Sequence, residues 1–264
     1  MRPMEVFNSG RTRAEHLLKL SELLLNTRRR GMRADWARRF KALMHWPQKE
    51  QIDRVDGPGA VLILREASGL KSKHFDEEYL NELLRAAYAG IVASLDRYCH
   101  EVVISRVVAQ LSKSPKVASR ELRQLRIPIL AARKAILHAR KPGTRPMNLV
   151  RQALQEVLHR EETFQRPDDI ARGMKIIGVD NLWGKCAQRL GCQPRDIAKR
   201  LNKIVDRRNR IVHEGDILRR KRGGKIAYHP IQATEVAGDI KWLSDLVNTI
   251  EDVVNEKPWN PGTK

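Results

Sequence analysis

The 264-residue chain carries 51 Lys/Arg against 31 Asp/Glu, a formal net charge of +20, with 41% hydrophobic and 5% aromatic residues. That length and apolar content suffice for one large packed domain, or a domain with an extension. The surplus of positive charge predicts attraction to polyanions, nucleic acid first and anionic membrane second, with a generic solubilising charge as the plain alternative.

The charge is unevenly placed, with 12 Lys/Arg against 2 Asp/Glu from Lys113 to Arg160, and 12 against 4 from Arg195 to Lys225. Few aromatics means few platforms for stacking single-stranded bases, so phosphate contact is better supported than base reading. The cysteines are Cys99, Cys186 and Cys192. Their odd number without dense spacing suggests reduced thiols in a cytoplasmic protein. None has the spacing of a zinc ligand, so all three read as packing residues, and no metal or cofactor is expected. No signal-peptide core is expected at the N-terminus, and the apolar run "AAYAGIVASL" is too short to span a bilayer.

In chain order, residues 11–44 read as helical, with Leu17, Leu18, Leu20, Leu24 and Leu25 at helical spacing and the basic stretch "RRRGMRADWARRF" after them. Pro47, Gly57, Pro58 and Gly59 break helix, and "AVLILR" reads as one short strand. Residues 1–70 thus form a basic N-terminal arm that packs on the main domain or holds a partner. A long helix is expected from Asp76, its N-cap, to Leu111, with Leu80, Leu83, Leu84, Ala87, Ile91, Leu95, Tyr98, Val102 and Val103 as its inner stripe. The basic segment 117–140 reads as helix broken at Pro128, and "KPGTRP" as a turn. Met147 to Glu161 is another helix, and residues 164–190 hold two short helices around "IIGVDNLW". Pro194 suits the first turn of a helix running to Glu214, with Gly215 as its stop. "RRKRGGK" is a basic loop. A last helix runs from about Ala233 to Asn255, and 256–264 is a tail. The fold class is all-α, a helical bundle with irregular connections.

The stretch "DRRNRIVHEGD", Asp206 to Asp216, carries the sharpest chemistry. On a helical wheel at about 100° per residue, Leu201, Ile204, Val205, Ile211 and Val212 fall within about 60° of Arg208. A guanidinium in the middle of an apolar stripe must be paired or must face a ligand. Asn209 and His213 are i, i+4 neighbours on the adjoining face, and Asp206 is one turn further up. Arg208, Asn209 and His213 could converge at one edge of the stripe, near the helix end. Such a set suits RNA cleavage without metal. Histidine titrates near neutrality and serves as base or acid. Arginine holds phosphate and stabilises the developing charge. Spacing alone leaves a salt-bridged structural arginine as the default, since arginine and histidine recur at similar distances elsewhere, and Arg207 also satisfies the spacing.

"LNKIVDRRNRIVHEGD" resembles the signature of the HEPN superfamily, specifically the RiboL-PSP-type HEPN domains. "ASLDRYCHEVV" at 93–103 and "TFQRPDDIARGMKIIGVDNLW" at 163–183 resemble two further family stretches. The resemblance covers roughly residues 76–255. It implies an all-helical domain that often dimerises. Active members of that family are metal-independent endoribonucleases, common in toxin, antiviral and stress systems, with the arginine and histidine in a cleft between protomers. Carried over, Arg208, Asn209 and His213 are the catalytic residues.

Asp96 and His100, i, i+4 in the second family-like stretch, either line the cleft or form a local pair around a satisfied interior histidine. Glu101 reads as solvated. Candidate RNA contacts are Arg207, Arg210, Arg219, Arg220, Lys221 and Arg222, and the segment 113–145 offers either backbone contacts or a plain solvated face. His16, His45, His138, His159 and His229 have no assigned role. "LGCQPRDIAKRLN" only faintly resembles a helix-turn-helix, and "GPGAVLILR" lacks the residues of a P-loop. The expected partners are RNA, a second copy of the chain, and a cognate antitoxin or regulatory protein, with no membrane. The competing reading is a non-catalytic helical protein of the same fold that binds RNA or a partner.

Overall fold

The structure, a computed structural model, describes residues 2–25, 28–29, 32–57, 59–113, 119–126, 129–130, 133, 137, 146–218 and 226–256. Helix α1 spans Pro3–Leu25 and starts well before the periodicity predicts. Phe7, Ala14, Leu18, Ser21 and Leu24 are its buried residues, one per turn or two, so they form a single stripe. Phe7, Ala14 and Leu18 of that stripe belong to the main hydrophobic core. The first part of the expected arm is therefore a core helix.

A small antiparallel sheet follows, β1 (Arg28–Arg29), β2 (Ile52–Asp56) and β3 (Val61–Arg65), in the order β1-β2-β3. The predicted strand "AVLILR" is β3. Its partner β2, with Val55 opposite Leu62, was not expected, because two aspartates and an arginine mask the apolar alternation of "IDRVD". Between β1 and β2 lies α2, Ala34–Leu43, in which no residue is buried.

Two short 3₁₀ turns lead into α3, Glu77–Lys113. Its 37 residues make a rod of about 55 Å. Asp76 is extended, and its carbonyl accepts from the amides of Tyr79 and Leu80, while Glu77 and Glu78 favour the positive end of the helix. Ile91, Val92, Leu95, Tyr98, Cys99, Val102, Val103 and Ile104 are at most 1% exposed, and most of them form one broad buried face, while Ala93 and Arg97 on the opposite side are exposed. It is the central post, in contact with α1 and with four later helices.

Those later elements are α4 (Arg120–Gln124), α5 (Pro146–Glu161), α6 (Pro167–Ile176), α7 (Leu182–Leu190), α8 (Pro194–Glu214) and α9 (Ala233–Asn255). Ser119 caps α4: its Oγ accepts from the Leu122 amide at 2.9 Å and donates to the Ile176 carbonyl at 2.7 Å. Residues 141–145 of the expected "KPGTRP" turn and half of the basic segment 117–140 lie outside the described residues. The Trp183 indole donates to the Pro167 carbonyl at 3.0 Å and ties α7 to α6. Cys99 and Cys186 are buried, and burial pushes both thiols up, Cys186 to about 11. Cys192, also expected to pack inside, is exposed, because it follows the α7 stop at Gly191. Among the described residues no helix is long and apolar enough to cross a membrane.

Candidate functional site

Helix α8 has the expected ends. Pro194 occupies its first turn, and Gly215 adopts φ +61° as the stop. The Asp216 amide then reaches back to the Arg210 carbonyl at 2.9 Å, which closes the end of the helix. This turn drives the Asp216 side chain inward, where it is fully buried.

The Asp216 carboxylate is gripped by two arginines. Arg85 Nε of α3 donates to Oδ2 at 2.8 Å. Arg207 Nη2 donates to the same oxygen at 2.9 Å, and Arg207 Nη1 lies 2.9 Å from Oδ1. Two carbonyls join the cluster: Arg85 Nη2 donates to that of His229 and Arg207 Nη2 to that of Pro230, both at 3.0 Å. Buried charges persist only when paired and hydrogen-bonded in this way. The cluster also pins the chain after α8. Leu218 donates to the Ala227 carbonyl at 2.7 Å and His229 to the Asp216 carbonyl at 2.9 Å, so residues 216–218 and 227–229 form a short antiparallel stem.

The buried guanidinium of α8 is thus Arg207. The sequence places Arg208 in the middle of the apolar stripe and Arg207 at the surface as an RNA contact; the structure reverses the two. Leu201, Ile204 and Val205 are buried, but Val212 is 47% exposed and Ile211 only partly covered. The stripe loses its cover over the last turn, and the buried face rotates toward Arg207. Arg208 is half-buried, and its Nη1 donates to the Asn209 side-chain oxygen at 3.0 Å. Its Nε is shielded from solvent and has no partner among the described residues, as is Arg210 Nε. His213 is exposed. The structure therefore brings Arg208 and Asn209 together and leaves His213 one turn on, at the open end of α8. Arg219, Arg220, Lys221 and Arg222 lie outside the described residues.

Asp206 is exposed and pairs with Arg166 Nη2 at 2.8 Å, while Arg166 Nη1 donates to Asn202 at 3.3 Å. Arg166 is itself positioned from α3. Asp96 accepts from the Phe164 amide at 2.6 Å and from Gln165 Nε2 at 3.4 Å, which fixes the turn that opens α6. His100 is interior rather than cleft-lining. It is 3% exposed, with one ring nitrogen 2.9 Å from the Asp96 carbonyl and the other 3.2 Å from the Leu158 carbonyl. Phe164 and His159 pack on its ring, both at 4.5 Å. Desolvation and the neighbouring His100 hold His159 below the usual imidazole range. Glu101, expected in solvent, is 2% exposed and held by Arg97 at 2.9 Å and Arg151 at 3.7 Å.

Sequence reading missed Arg85 and Asp216. A signal existed for each: Arg85 interrupts the inner stripe of α3 between Leu84 and Ala87, and Asp216 follows the helix-ending glycine. On another face of α8, Asp196, Lys199, Arg200, Lys203 and Asp239 line a cavity of about 610 Å³ with mixed charge.

No curated protein and no solved structure matches the chain. The family model described as RiboL-PSP-HEPN matches residues 62–256, which takes in β3, α3 and every later helix. With most of its length covered and its helical architecture in agreement, the chain belongs to the RiboL-PSP-HEPN family.

Proposed function

We propose that the chain is a metal-independent endoribonuclease of HEPN type, working as a homodimer in the cytoplasm in a toxin or antiviral defence role. A cognate antitoxin or regulatory protein would restrain it. The observation that carries the reading is the division of labour between adjacent arginines. Arg207 is neutralised by a buried carboxylate, whereas among the described residues Arg208 is held by the amide of Asn209 and by no carboxylate, with an exposed imidazole five residues on. A guanidinium held by a neutral amide keeps its full charge for a phosphate.

In this reading one His213 takes the proton from a ribose 2′-OH. The 2′-oxygen attacks the adjacent phosphorus and the bond to the 5′-oxygen breaks. A second imidazole gives its proton to the departing 5′-oxygen. The products are a 2′,3′-cyclic phosphate and a 5′-hydroxyl. Arg208 stabilises the charge that builds on the phosphoryl oxygens. One ring cannot easily serve both sides of one phosphorus, so the reaction calls for His213 from two chains. The partly exposed Val212, Ile217, Leu218 and Tyr228 around the helix end offer apolar surface for that second copy. The Arg210 side chain and the segment 219–222 would hold the RNA backbone near the cut.

The test is cleavage of total, transfer and ribosomal RNA in EDTA, with the product ends determined. Cutting with cyclic phosphate ends is expected from the parent, and none from His213→Ala, which should still bind RNA. RNA binding by the parent with no cutting of any of these substrates would overturn the proposal in favour of a non-catalytic RNA-binding protein of the same fold.

A further inference from the structure

The chain holds five Trp, four Tyr and four Phe. Three of these aromatics, Trp36, Phe40 and Trp46, meet in α2 and the turn that leaves it. The Trp36 and Phe40 rings stack at 4.9 Å and 11°, and Phe40 meets Trp46 edge-on at 5.6 Å. Trp46 is committed to the fold: Arg65 lies 4.7 Å over its ring and is itself tied to Glu50 by two hydrogen bonds, Nε to Oε1 at 2.9 Å and Nη2 to Oε2 at 2.8 Å. Lys41 Nζ donates to the Glu50 carbonyl at 3.0 Å and fastens the same corner. Trp36 is not committed in this way. It is 40% exposed, on a helix with no buried residue, and Arg54, which stands 5.8 Å from its ring centroid, pairs with Asp56.

The surroundings of Trp36 are basic. From Arg28 to Arg54 there are nine Lys/Arg against three Asp/Glu. Arg39 is one turn after Trp36 on α2, and Arg33, the extended N-cap, is three residues before it at the start of the helix. Both are exposed, and neither has an ion pair among the described residues.

We propose that this face of α2 is a binding site for single-stranded RNA, in which a base continues the Trp36–Phe40 stack while Arg33 and Arg39 hold the flanking phosphates. A ring pair with an exposed leading member is a platform any base can join, and the cations supply the matching charge. A duplex keeps its bases stacked on one another and gains only the phosphate contacts. The site lies outside α8 and does not rest on cutting, although it adds a holding point for the RNA of the proposed reaction.

The experiment measures fluorescence anisotropy of labelled oligouridylate of about 12 nucleotides and of an RNA duplex of about the same length. Both are titrated in a His213→Ala background, so that cleavage and binding fail separately. Trp36→Ala should weaken single-strand binding about five- to a hundred-fold and leave duplex binding within about two-fold, while Trp36→Phe retains most of the affinity. Equal affinity of Trp36→Ala and its parent for oligouridylate would overturn the proposal. So would an equal loss on both RNAs, or Trp36-dependent binding to phosphatidylserine vesicles with none to oligouridylate. If Trp36→Ala lowers the unfolding temperature, the double variant Arg33→Ala, Arg39→Ala decides. It should weaken oligouridylate binding and shrink its salt dependence, and an unchanged salt slope would sink the idea.

Discussion

Arg207 and Arg208 are chemically identical neighbours with opposite fates. One fills its donors with Asp216 and the Pro230 carbonyl inside the protein. The other, among the described residues, bonds to Asn209 alone. Their substitutions should separate accordingly. Arg207→Ala strips a fully buried carboxylate of one partner and should cost about 3–5 kcal/mol of stability. Arg208→Ala should cost less than about 1 kcal/mol while removing RNA cleavage. Urea unfolding of the two variants, with cleavage assayed alongside, checks this; comparable stability losses would contradict the assignment. The wheel could not rank the two arginines. It locates the apolar stripe of one helix but carries no information on where neighbouring elements stop covering it. The residues that decide, Asp216 beyond the helix end and Arg85 far away in α3, are not on that helix. His100 and Glu101 teach the same lesson: their spacing was legible, but their burial depended on α5, which brings in Leu158, His159 and Arg151.

Helices were legible where one face is apolar and the ends carry proline or glycine. The start at Pro194 and the stop at Gly215 follow from those signals, and the expected starts at Met147 and Ala233 fall within one residue of the observed ones. The first turns of α1 were not, because Met4, Val6 and Phe7 are too few to set a period. The role of α1 rests on close approach to α3. A Cβ placed on Gly10 would lie 1.9 Å from Ser94 Oγ, whose hydroxyl is engaged with the Gly90 carbonyl at 2.7 Å. Gly10→Val should therefore push α1 off its seat. We expect a loss of about 1–3 kcal/mol, read as an earlier thermal midpoint, and more rapid hydrogen exchange in α1 than in α9. A variant as stable as the parent would show that the two helices have room to slide.

For the molecule as a whole, the net charge is +20 and the end of α8 is open, and the proposed reaction calls for two copies on one RNA. If each site draws one His213 from each of two chains, mixing parent with His213→Ala has a definite outcome. At constant total protein, after subunit exchange, activity should fall as about the square of the parent fraction, since only parent pairs hold both imidazoles. A straight-line fall would mean that each chain cuts alone. Composition predicts a polyanion partner, and the scarcity of aromatics argues against base stacking. Scarcity in the chain is no measure of density in space, and Trp36 beside Phe40 shows the difference.

The stem that closes residues 216–218 on 227–229 has one more result. Both of its strands are moored to the same buried trio, one through the Asp216 carboxylate and the other through the carbonyls of His229 and Pro230. Trypsin cutting among the arginines and lysines of 219–225 would thus sever the peptide without releasing either end. The nicked chain would travel as one particle until a denaturant parted its two fragments.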